Sequence, residues 1–261
     1  MNKESNIIVK PSNTGISRII LNEPSTYNAL SMDTLKLLIK SFKTINDDEK
    51  TKVVIIEGSG KGFCAGHNLK EINLLKGKPA YQKIFSLCSE LMMTIINSNK
   101  PVIAKVHGAA FAAGCQLVAT CDLALSTDEA VFATPGVNIG LFCSTPMLAV
   151  SRNVSRKKTM KMLLTGEPIS AQYAKEIGLI NDHFKNSSLE DEVISLAEII
   201  ASKSSKVLKI GKRAFYKQLD MPLDKAYKYT SKIMSENMMA LDAKEGINAF
   251  LEKRNPNWKN K

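Results

Sequence analysis

Apolar and polar residues alternate along the first half of the chain in the manner of short strands followed by helices. The segment NIIVKPSNTGISRIILNEP holds two β-branched runs on either side of Asn13-Thr14-Gly15, which predicts a β-hairpin. Ser31 can cap a following helix, because apolar residues then recur every three or four positions between Met32 and Ile45. The apolar runs KVVIIEG and PVIAKVHG predict two strands, with a helix between them over about residues 80–97.

The later part of the chain becomes increasingly helical. We interpret the glycine- and alanine-rich start of GAAFAAGCQLVATCDLAL as a loop that leads into an apolar segment, and AVFATP predicts a short strand. In ISAQYAKEIGLIN, Ser170 can cap a helix that Gly178 ends. From about residue 188 the pattern predicts helices only. We therefore expect a helical tail that packs on the main body or on a neighbouring molecule.

The composition is that of an ordinary globular protein. The 261 residues are 44% hydrophobic and 23% charged, which is enough for one large domain with a substantial core. The net charge of +11 is spread along the chain and forms no basic stripe with interleaved aromatic residues, so we expect no nucleic-acid partner. The positive excess would still attract an anionic ligand.

The cysteines and histidines form no metal-binding pattern. Among five cysteines there is no CxxC pair, and the three histidines stand at no ligand spacing, so we expect no metal site and free thiols. The first residues lack the apolar core of a signal peptide and the arginine-rich pattern of a transit peptide. Since no apolar run reaches membrane-spanning length, we expect a cytoplasmic protein with no membrane partner.

The stretch GSGKGFCAGHNLKEI, residues 58–72, follows a strand and could in principle cradle a phosphate. However, Lys61 is followed by Gly62, which excludes a Walker loop, and the glycine spacing misses G-x-G-x-x-G. The alternative is a site made of backbone amides, because the first N–H groups of a helix lack internal partners and carry positive potential. The small residues Ala65 and Gly66 would let a ligand approach the backbone closely.

A second strand, small-residue loop and helix repeat this arrangement over about residues 101–120. Ala112, Ala113 and Gly114 precede the helix at Cys115 and offer a matching set of amides. Two amide groups that face one oxygen form an oxyanion hole, which stabilises an enolate or a tetrahedral oxyanion. Periodicity does not show that the two turns face each other, and two tight turns without a ligand are the alternative.

The sequence resembles the crotonase superfamily, that is, the enoyl-CoA hydratase/isomerase family, in six segments that keep the family's order and spacing. These segments are NEPSTYNAL, GFCAGHNLKEI, KPVIAKVHGAAFAAGCQLVATCDLAL, FATPGVNIGL, LLTGEPISAQYAKEIGLIN and EGINAFLEKRNPNW. The resemblance implies an α/β spiral of ββα repeats (the ClpP/crotonase-like fold) over residues 1–195. It also implies a helical oligomerisation region over residues 196–261, which builds a homotrimer or a dimer of trimers. The implied ligand is an acyl-CoA thioester, with coenzyme A as part of the substrate and no separate cofactor.

The resemblance also implies which residues form the site. At the family's motif positions, the oxyanion amides would be those of His67 and Ala113. The adenine and pantetheine arm of coenzyme A would lie along Asn28-Ala29-Leu30 and residues 65–69. Phe250 and Lys253 match positions that, in relatives, approach the coenzyme A of an adjacent subunit, where basic side chains suit its phosphates. The substrate-binding positions are Asn28, Ala29, Leu30, Ala65, Gly66, Asn68, Leu69, Gly114, Phe250 and Lys253.

Two positions depart from the family's catalytic pattern. Hydratases of the family use two glutamates, and this sequence has Gln116 and Gly136 in their places. Neither residue exchanges protons at a useful pH, so we expect weak hydratase activity, and restoring both glutamates should raise the hydration of crotonyl-CoA. Cys143 is a candidate nucleophile or a buried structural cysteine. The His67 imidazole is a candidate acid or hydrogen-bond donor, the alternative being a ring that packs outside the site.

Three functions remain open on the sequence. The first is an acyl-CoA enzyme that relies on its oxyanion hole, for weak hydration, decarboxylation or thioester hydrolysis. The second is a non-catalytic acyl-CoA-binding regulator, and the third, disfavoured by the spread of charge, is RNA binding. Outside the site, we expect Asp122 to order the loop after its helix and Glu71 to pair with a lysine.

Overall fold

Short strands and helices succeed one another through the chain, as its hydrophobic pattern predicts. The structure, a computed structural model, describes residues 5–12 and 14–260, so Asn13 of the predicted hairpin turn lies outside the described residues. The strands of the described residues are β1 (Ile7–Lys10), β2 (Ile16–Leu21), β3 (Val53–Gly58), β4 (Val102–Val106), β5 (Ala109–Phe111), β6 (Leu123–Thr127), β7 (Val131–Ala133), β8 (Ile169–Ser170) and β9 (Asp182–Phe184).

The helices cover the faces of these strands and make up the C-terminal part. They are α1 (Met32–Asp47), α2 (Leu69–Leu74), α3 (Lys78–Ile96), α4 (Ala113–Thr120), α5 (Pro146–Ser151), α6 (Arg156–Thr165), α7 (Ala171–Glu176), α8 (Asn186–Ala201), α9 (Ser205–Gln218), α10 (Leu223–Met238) and α11 (Leu241–Leu251). Short 3-10 helices occupy Pro24–Thr26 and Pro135–Ile139.

Two sheets organise the main body. The larger has the order β1-β2-β3-β4-β6-β9 and is parallel apart from the β1–β2 hairpin. The smaller has the order β5-β7-β8, with β5 parallel and β8 antiparallel to β7. Strand β3 is buried on both faces, as is usual for a parallel sheet under helices, and this explains its unbroken apolar run. Val54 and Ile56 face the core under α1, α3 and α4, whereas Val53 and Ile55 face α8.

Several local signals act as the sequence predicts. The Ser31 hydroxyl accepts a hydrogen bond from Thr34 N–H at the start of α1, and Ser170 does the same for Tyr173 in α7. Gly178 has a φ of +81° just after α7, which is a conformation that favours glycine. One interpretation is wrong, because part of the predicted small-residue loop at 108–114 is strand β5. Its three residues pair with β7 over Ala109–Phe111, which a local pattern of alanines does not reveal.

The C-terminal part is attached to the main body through α8 and α9. Helix α8 packs its apolar residues on the large sheet, so the predicted division at residue 195 falls inside a helix that covers the core. Helix α9 is tied down by Lys212, whose ammonium donates to Asp122 (2.7 Å) and to the carbonyls of Ile95 and Lys100 (both 3.0 Å). Within the described part of the chain, no helix is both long and apolar enough to cross a membrane.

Candidate active site

The two predicted amide turns lie side by side. Cys64 N–H donates to the Ala109 carbonyl at 3.0 Å, and Phe111 N–H donates to the Cys64 carbonyl at 2.9 Å. These two bonds join the loop after β3 to β5, the strand that leads into α4. The loops that local pattern could not place relative to each other are therefore neighbours.

Glycines make the close approach of the two turns possible. A Cβ at Gly66 would lie 3.3 Å from Ala113 N and 3.0 Å from the Phe111 carbonyl oxygen, and Gly66 has a φ of +96°. A Cβ at Gly114 would lie 2.1 Å from the Cys64 carbonyl oxygen, closer than any side chain allows. Gly66, the residue before His67, thus lies against the backbone nitrogen of Ala113, the first residue of α4. That both N–H groups share one oxygen stays a prediction.

The backbone N–H groups of His67 and Ala113 are available to bind a ligand. Leu30 N–H donates to the Gly66 carbonyl (2.7 Å) and Asn68 N–H donates to the Leu30 carbonyl (3.1 Å), so the N–H of His67 points away from Leu30. The first bond inside α4 runs from Gln116 N–H to the Ala112 carbonyl at 3.0 Å, which leaves Ala113 N–H outside the helix ladder. Among the described residues, neither N–H donates to a protein acceptor. The arrangement can bind an oxygen that carries negative charge.

The turn before α4 is strained. Ala112 has φ +49° and ψ −115°, a backbone conformation that costs an alanine about 1–3 kcal/mol. It is held there by its N–H, which donates to the Ala133 carbonyl at 2.9 Å, and by its carbonyl, which accepts from Gln116. Strain of this kind is often retained where it orients functional groups, and here it orients the amide that follows.

Asn28 organises the loop on the other side of the site. Its amide nitrogen donates to the carbonyls of Ser59 (2.9 Å), Gly62 (2.9 Å) and Phe63 (3.2 Å), and its oxygen accepts from Glu23 N–H. The residue is 1% exposed and has a φ of +57°. Its side chain therefore shapes the loop, and the contact of Asn28 with coenzyme A stays a prediction.

The other predicted substrate-binding residues fall into buried and exposed groups. Ala29 and Leu30 are buried, while Ala65 and Leu69, the first residue of α2, are exposed. The Asn68 side chain accepts from Glu71 N–H and caps α2. Of the two C-terminal residues, Phe250 lies in the last turn of α11 and is 82% exposed, and Lys253 follows this helix with a φ of +56°.

Gln116 lies inside the protein, one turn into α4. It is 3% exposed, and its Oε1 lies 4.0 Å from the thiol of Cys88 on α3. Burial raises the pKa of Cys88 to about 12, so this thiol is neutral at physiological pH. Gln116 thus places a neutral amide beside α3, where it can orient a ligand without exchanging protons.

Gly136 has no room for a side chain. A Cβ there would lie 2.4 Å from the Leu141 carbonyl oxygen and 2.9 Å from Cys143 Sγ. The loop is fixed in this position because Leu141 N–H donates to the Gly136 carbonyl at 2.9 Å. The expectation that restoring both glutamates raises the hydration of crotonyl-CoA stays a prediction. The space at residue 136 is filled, and a glutamate would first have to displace this loop.

Cys143 is a buried thiol at this same place. It is 7% exposed, and burial raises its pKa above the ordinary value, partly opposed by the Gly136 backbone. A protonated thiol is a poor nucleophile, so the nucleophile interpretation gains no support from this environment. All five cysteines are free and buried.

The His67 side chain carries two buried polar atoms beside the proposed oxyanion turn. Both ring nitrogens are buried, and among the described residues neither has a hydrogen-bond partner. The ring packs edge-on against Phe85 of α3, with centroids 5.3 Å apart. Burial lowers the pKa of His67 below its ordinary value, and the Leu30 backbone, which approaches the ring without reaching hydrogen-bond geometry, opposes this shift to a smaller extent, so the imidazole is neutral at pH 7.

The remaining predicted residues have structural roles. Asp122 accepts from Val102 N–H (2.7 Å), Lys212 and Tyr216, so it joins α9 to the start of β4 as well as ordering its own loop. The prediction that Glu71 pairs with a lysine is wrong. The Glu71 carboxylate instead accepts a hydrogen bond from Met32 N–H (2.9 Å) at the start of α1. In the described ranges, no three His, Cys, Asp or Glu side chains are grouped as metal ligands.

Comparison with known proteins assigns the class. Residues 11–261 match the family model described as enoyl-CoA hydratase/isomerase. The chain belongs to this family, the crotonase superfamily, and has its fold. It is similar to a solved enoyl-CoA hydratase of Mycobacterium smegmatis, with 44% identity, a TM-score of 0.96 and coverage of 98% of this chain and 99% of that one.

The subgroup follows from the curated relatives. Enoyl-CoA hydratase domain-containing protein 3, mitochondrial, is 48% identical in Homo sapiens over 94% of this chain and 80% of the relative. The Danio rerio protein of that name is 45% identical over 98% of this chain and 89% of the relative. The solved human structure has a TM-score of 0.94 and 45% identity, covering 97% of this chain and all of that one. Within the family, the chain belongs to this subgroup, which its segments AGHNLKE and GLFCSTP also indicate.

Proposed function

We propose that the protein binds an acyl-CoA thioester and polarises its C=O with the backbone N–H groups of His67 and Ala113. The observation that carries the proposal is the contact between the two turns, in which Gly66 lies against Ala113 N. The strained turn at Ala112 and the unpaired amides support it, because they aim donors at a place where negative charge would develop. Membership of the enoyl-CoA hydratase/isomerase family supports the choice of ligand.

Hydration of an enoyl thioester would be weak on this scaffold. The reaction needs one group that deprotonates water and another that protonates the α-carbon. Gln116 cannot exchange a proton, and the loop at Leu141 fills the space where a carboxylate at residue 136 would begin. Acid–base catalysis is worth about 10²–10⁴-fold for each group, so chemistry that depends mainly on an oxyanion, namely decarboxylation or thioester hydrolysis, fits better.

A second candidate function is acyl-CoA binding without turnover. It is favoured by the filled space at Gly136, which leaves the described site without a carboxylate. Titration calorimetry with acetyl-, crotonyl- and malonyl-CoA tests binding, and a turnover assay with the same compounds tests chemistry. Turnover of any thioester would support the enzyme, and binding without turnover would support the regulator. Absence of binding to all three compounds would contradict both.

We also propose that the chain assembles as a homotrimer or a dimer of trimers. The support is the set of large apolar side chains exposed on α9, α10 and α11, which in a lone chain would face water. These exposed residues include Phe215, Leu223, Tyr227, Met234, Phe250 and Leu251. In such an assembly, Phe250 and Lys253 would approach the coenzyme A of an adjacent subunit. Light scattering after size exclusion gives the mass, and a monomer at micromolar concentration would contradict this proposal.

The cytoplasm remains our proposed compartment, on composition alone. The curated relatives carry the word mitochondrial in their names, so cell fractionation with a mitochondrial marker is the direct test.

A further inference from the structure

The His67 imidazole is a buried polar group that the fold itself leaves without a partner. Buried polar side chains in folded proteins are hydrogen-bonded in the large majority, so a ring with two unpaired nitrogens requires an explanation. The ring is attached through a single CH₂ to the residue whose N–H is the first proposed oxyanion donor. Any acyl group held by that N–H would therefore lie within reach of the ring.

Helix α3 places the ring and Gln116 on the same side of the site. The His67 ring contacts Phe85, and the Gln116 side chain faces Cys88. Phe85 and Cys88 are three residues apart, so they are neighbours on one face of α3, with Cβ atoms about 5–6 Å apart. The imidazole and the amide therefore both face this side of α3.

Burial leaves the ring neutral and able to accept a proton, and among the described residues no charged side chain pairs with it. Cys64, on its own loop, and Cys88, on α3, both have pKa values raised to about 12 by burial, so neither carries charge at pH 7. Glu71, on α2, directs its carboxylate to Met32 N–H at the start of α1. Burial keeps the pKa of the ring below its ordinary value, and above that pKa one ring nitrogen is an acceptor.

We propose that His67 is the general base of a thioester hydrolase, with Gln116 orienting the attacking water. This inference rests on the proposed function, because it requires the acyl-CoA carbonyl to be bound by the two amides. A ring nitrogen takes a proton from water, and the water oxygen forms a bond to the thioester carbon. The carbonyl electron pair moves to the oxygen held by the His67 and Ala113 amides. The tetrahedral species then re-forms its C=O and breaks the C–S bond, and the imidazolium returns its proton to the coenzyme A thiolate. The products are a carboxylic acid and coenzyme A.

The proposal gives His67 two roles, a general base in its ring and an oxyanion donor in its backbone N–H, and one substitution can remove the first while keeping the second. His67→Gln keeps the N–H and a polar side chain but removes the titrating ring. With acetyl-, butyryl- and benzoyl-CoA, release of free coenzyme A should fall about 10²–10⁴-fold in this variant. The dissociation constant for a non-hydrolysable thioether analogue should change less than threefold. His183→Gln, at a surface histidine that bonds Asp128, is the matched control and should keep wild-type rates.

The pH profile gives a second readout that does not depend on a variant that folds. In the wild type, kcat/KM should rise with pH through one pKa below 6.5 and then level off, since the neutral ring is the active form. A flat profile, or hydrolysis by His67→Gln within threefold of the wild type, would overturn the proposal. Binding of the thioether analogue without hydrolysis of any of the three thioesters would overturn the hydrolase and leave acyl-CoA binding intact. Absence of analogue binding would instead overturn the proposed function.

Discussion

The filled space at Gly136 gives a sharp test of the site, because Gly136→Ala adds only one methyl group. That methyl would lie 2.4 Å from the Leu141 carbonyl oxygen, 2.9 Å from Cys143 Sγ and 3.3 Å from the Leu141 carbonyl carbon. Overpacking of this kind costs about 1–3 kcal/mol. If the loop moves away, it also loses the Leu141 N–H bond to the Gly136 carbonyl, worth about 0.5–1.5 kcal/mol.

We expect Gly136→Ala to lower the free energy of unfolding by about 1.5–4.5 kcal/mol, the sum of these two costs. The measurement is urea denaturation at one fixed protein concentration, because an oligomer's stability depends on concentration. Gly211→Ala is the control, since a Cβ in the middle of α9 meets nothing within 4 Å. That substitution should raise stability by about 0.5–1 kcal/mol through the lower flexibility of the unfolded chain.

A double variant shows whether the Leu141 carbonyl or the Cys143 thiol causes most of the stability loss in Gly136→Ala. Cys143→Ala removes the thiol but leaves the Leu141 carbonyl, which is the nearer obstacle, so it should restore less than half of the stability lost in Gly136→Ala. Stability of Gly136→Ala within about 0.5 kcal/mol of the wild type, the usual range for a harmless surface change, would refute the argument that this space is filled.

Three further predictions concern strain and buried charge. Ala112→Gly relieves a strained turn at a small cost in chain entropy, so thermal unfolding should show a gain of about 1 kcal/mol, and unchanged stability would argue against strain. Lys212→Met leaves the Asp122 carboxylate without its buried cation and should cost about 3–5 kcal/mol in urea, whereas adding Asp122→Asn should recover part of this loss. Ion pairs with Arg18 and Lys105 lower the pKa of Glu190 to about 2, so its stabilising effect is complete above its usual pKa of 4.5 and is lost as the pH falls toward 2. The stability difference between wild type and Glu190→Gln, at most about 1 kcal/mol for a half-exposed pair, should therefore shrink between pH 5 and pH 2, and a constant difference would contradict it.

The sequence is informative wherever a local signal determines structure. The helix cap at Ser31, the continuous apolar run of β3 and the turn at Gly178 act through near neighbours, and each can be predicted from a short window. The family motifs indicate the fold and the two amide turns, because their order and spacing extend over nearly the whole chain.

Other features depend on residues that are distant in sequence and could not be predicted. The segment FATPGVNIGLFC does not predict that the Leu141 carbonyl lies against Gly136, because its sequence does not determine the path of the loop. The partner of Glu71 lies 39 residues away, at the start of α1. The surroundings of His67 are set by Phe85, on a helix whose docking on this loop no local pattern specifies.

The hydrogen bonds of Asn28 have a consequence for affinity. One side chain, set in a left-handed turn, binds three successive parts of the loop that precedes the amide turn. That loop is therefore already ordered in the folded protein, so a ligand that binds does not have to provide the free energy for ordering it. Because preorganised sites spend less entropy on association, removal of this one amide should weaken recognition chiefly by loosening the unbound state.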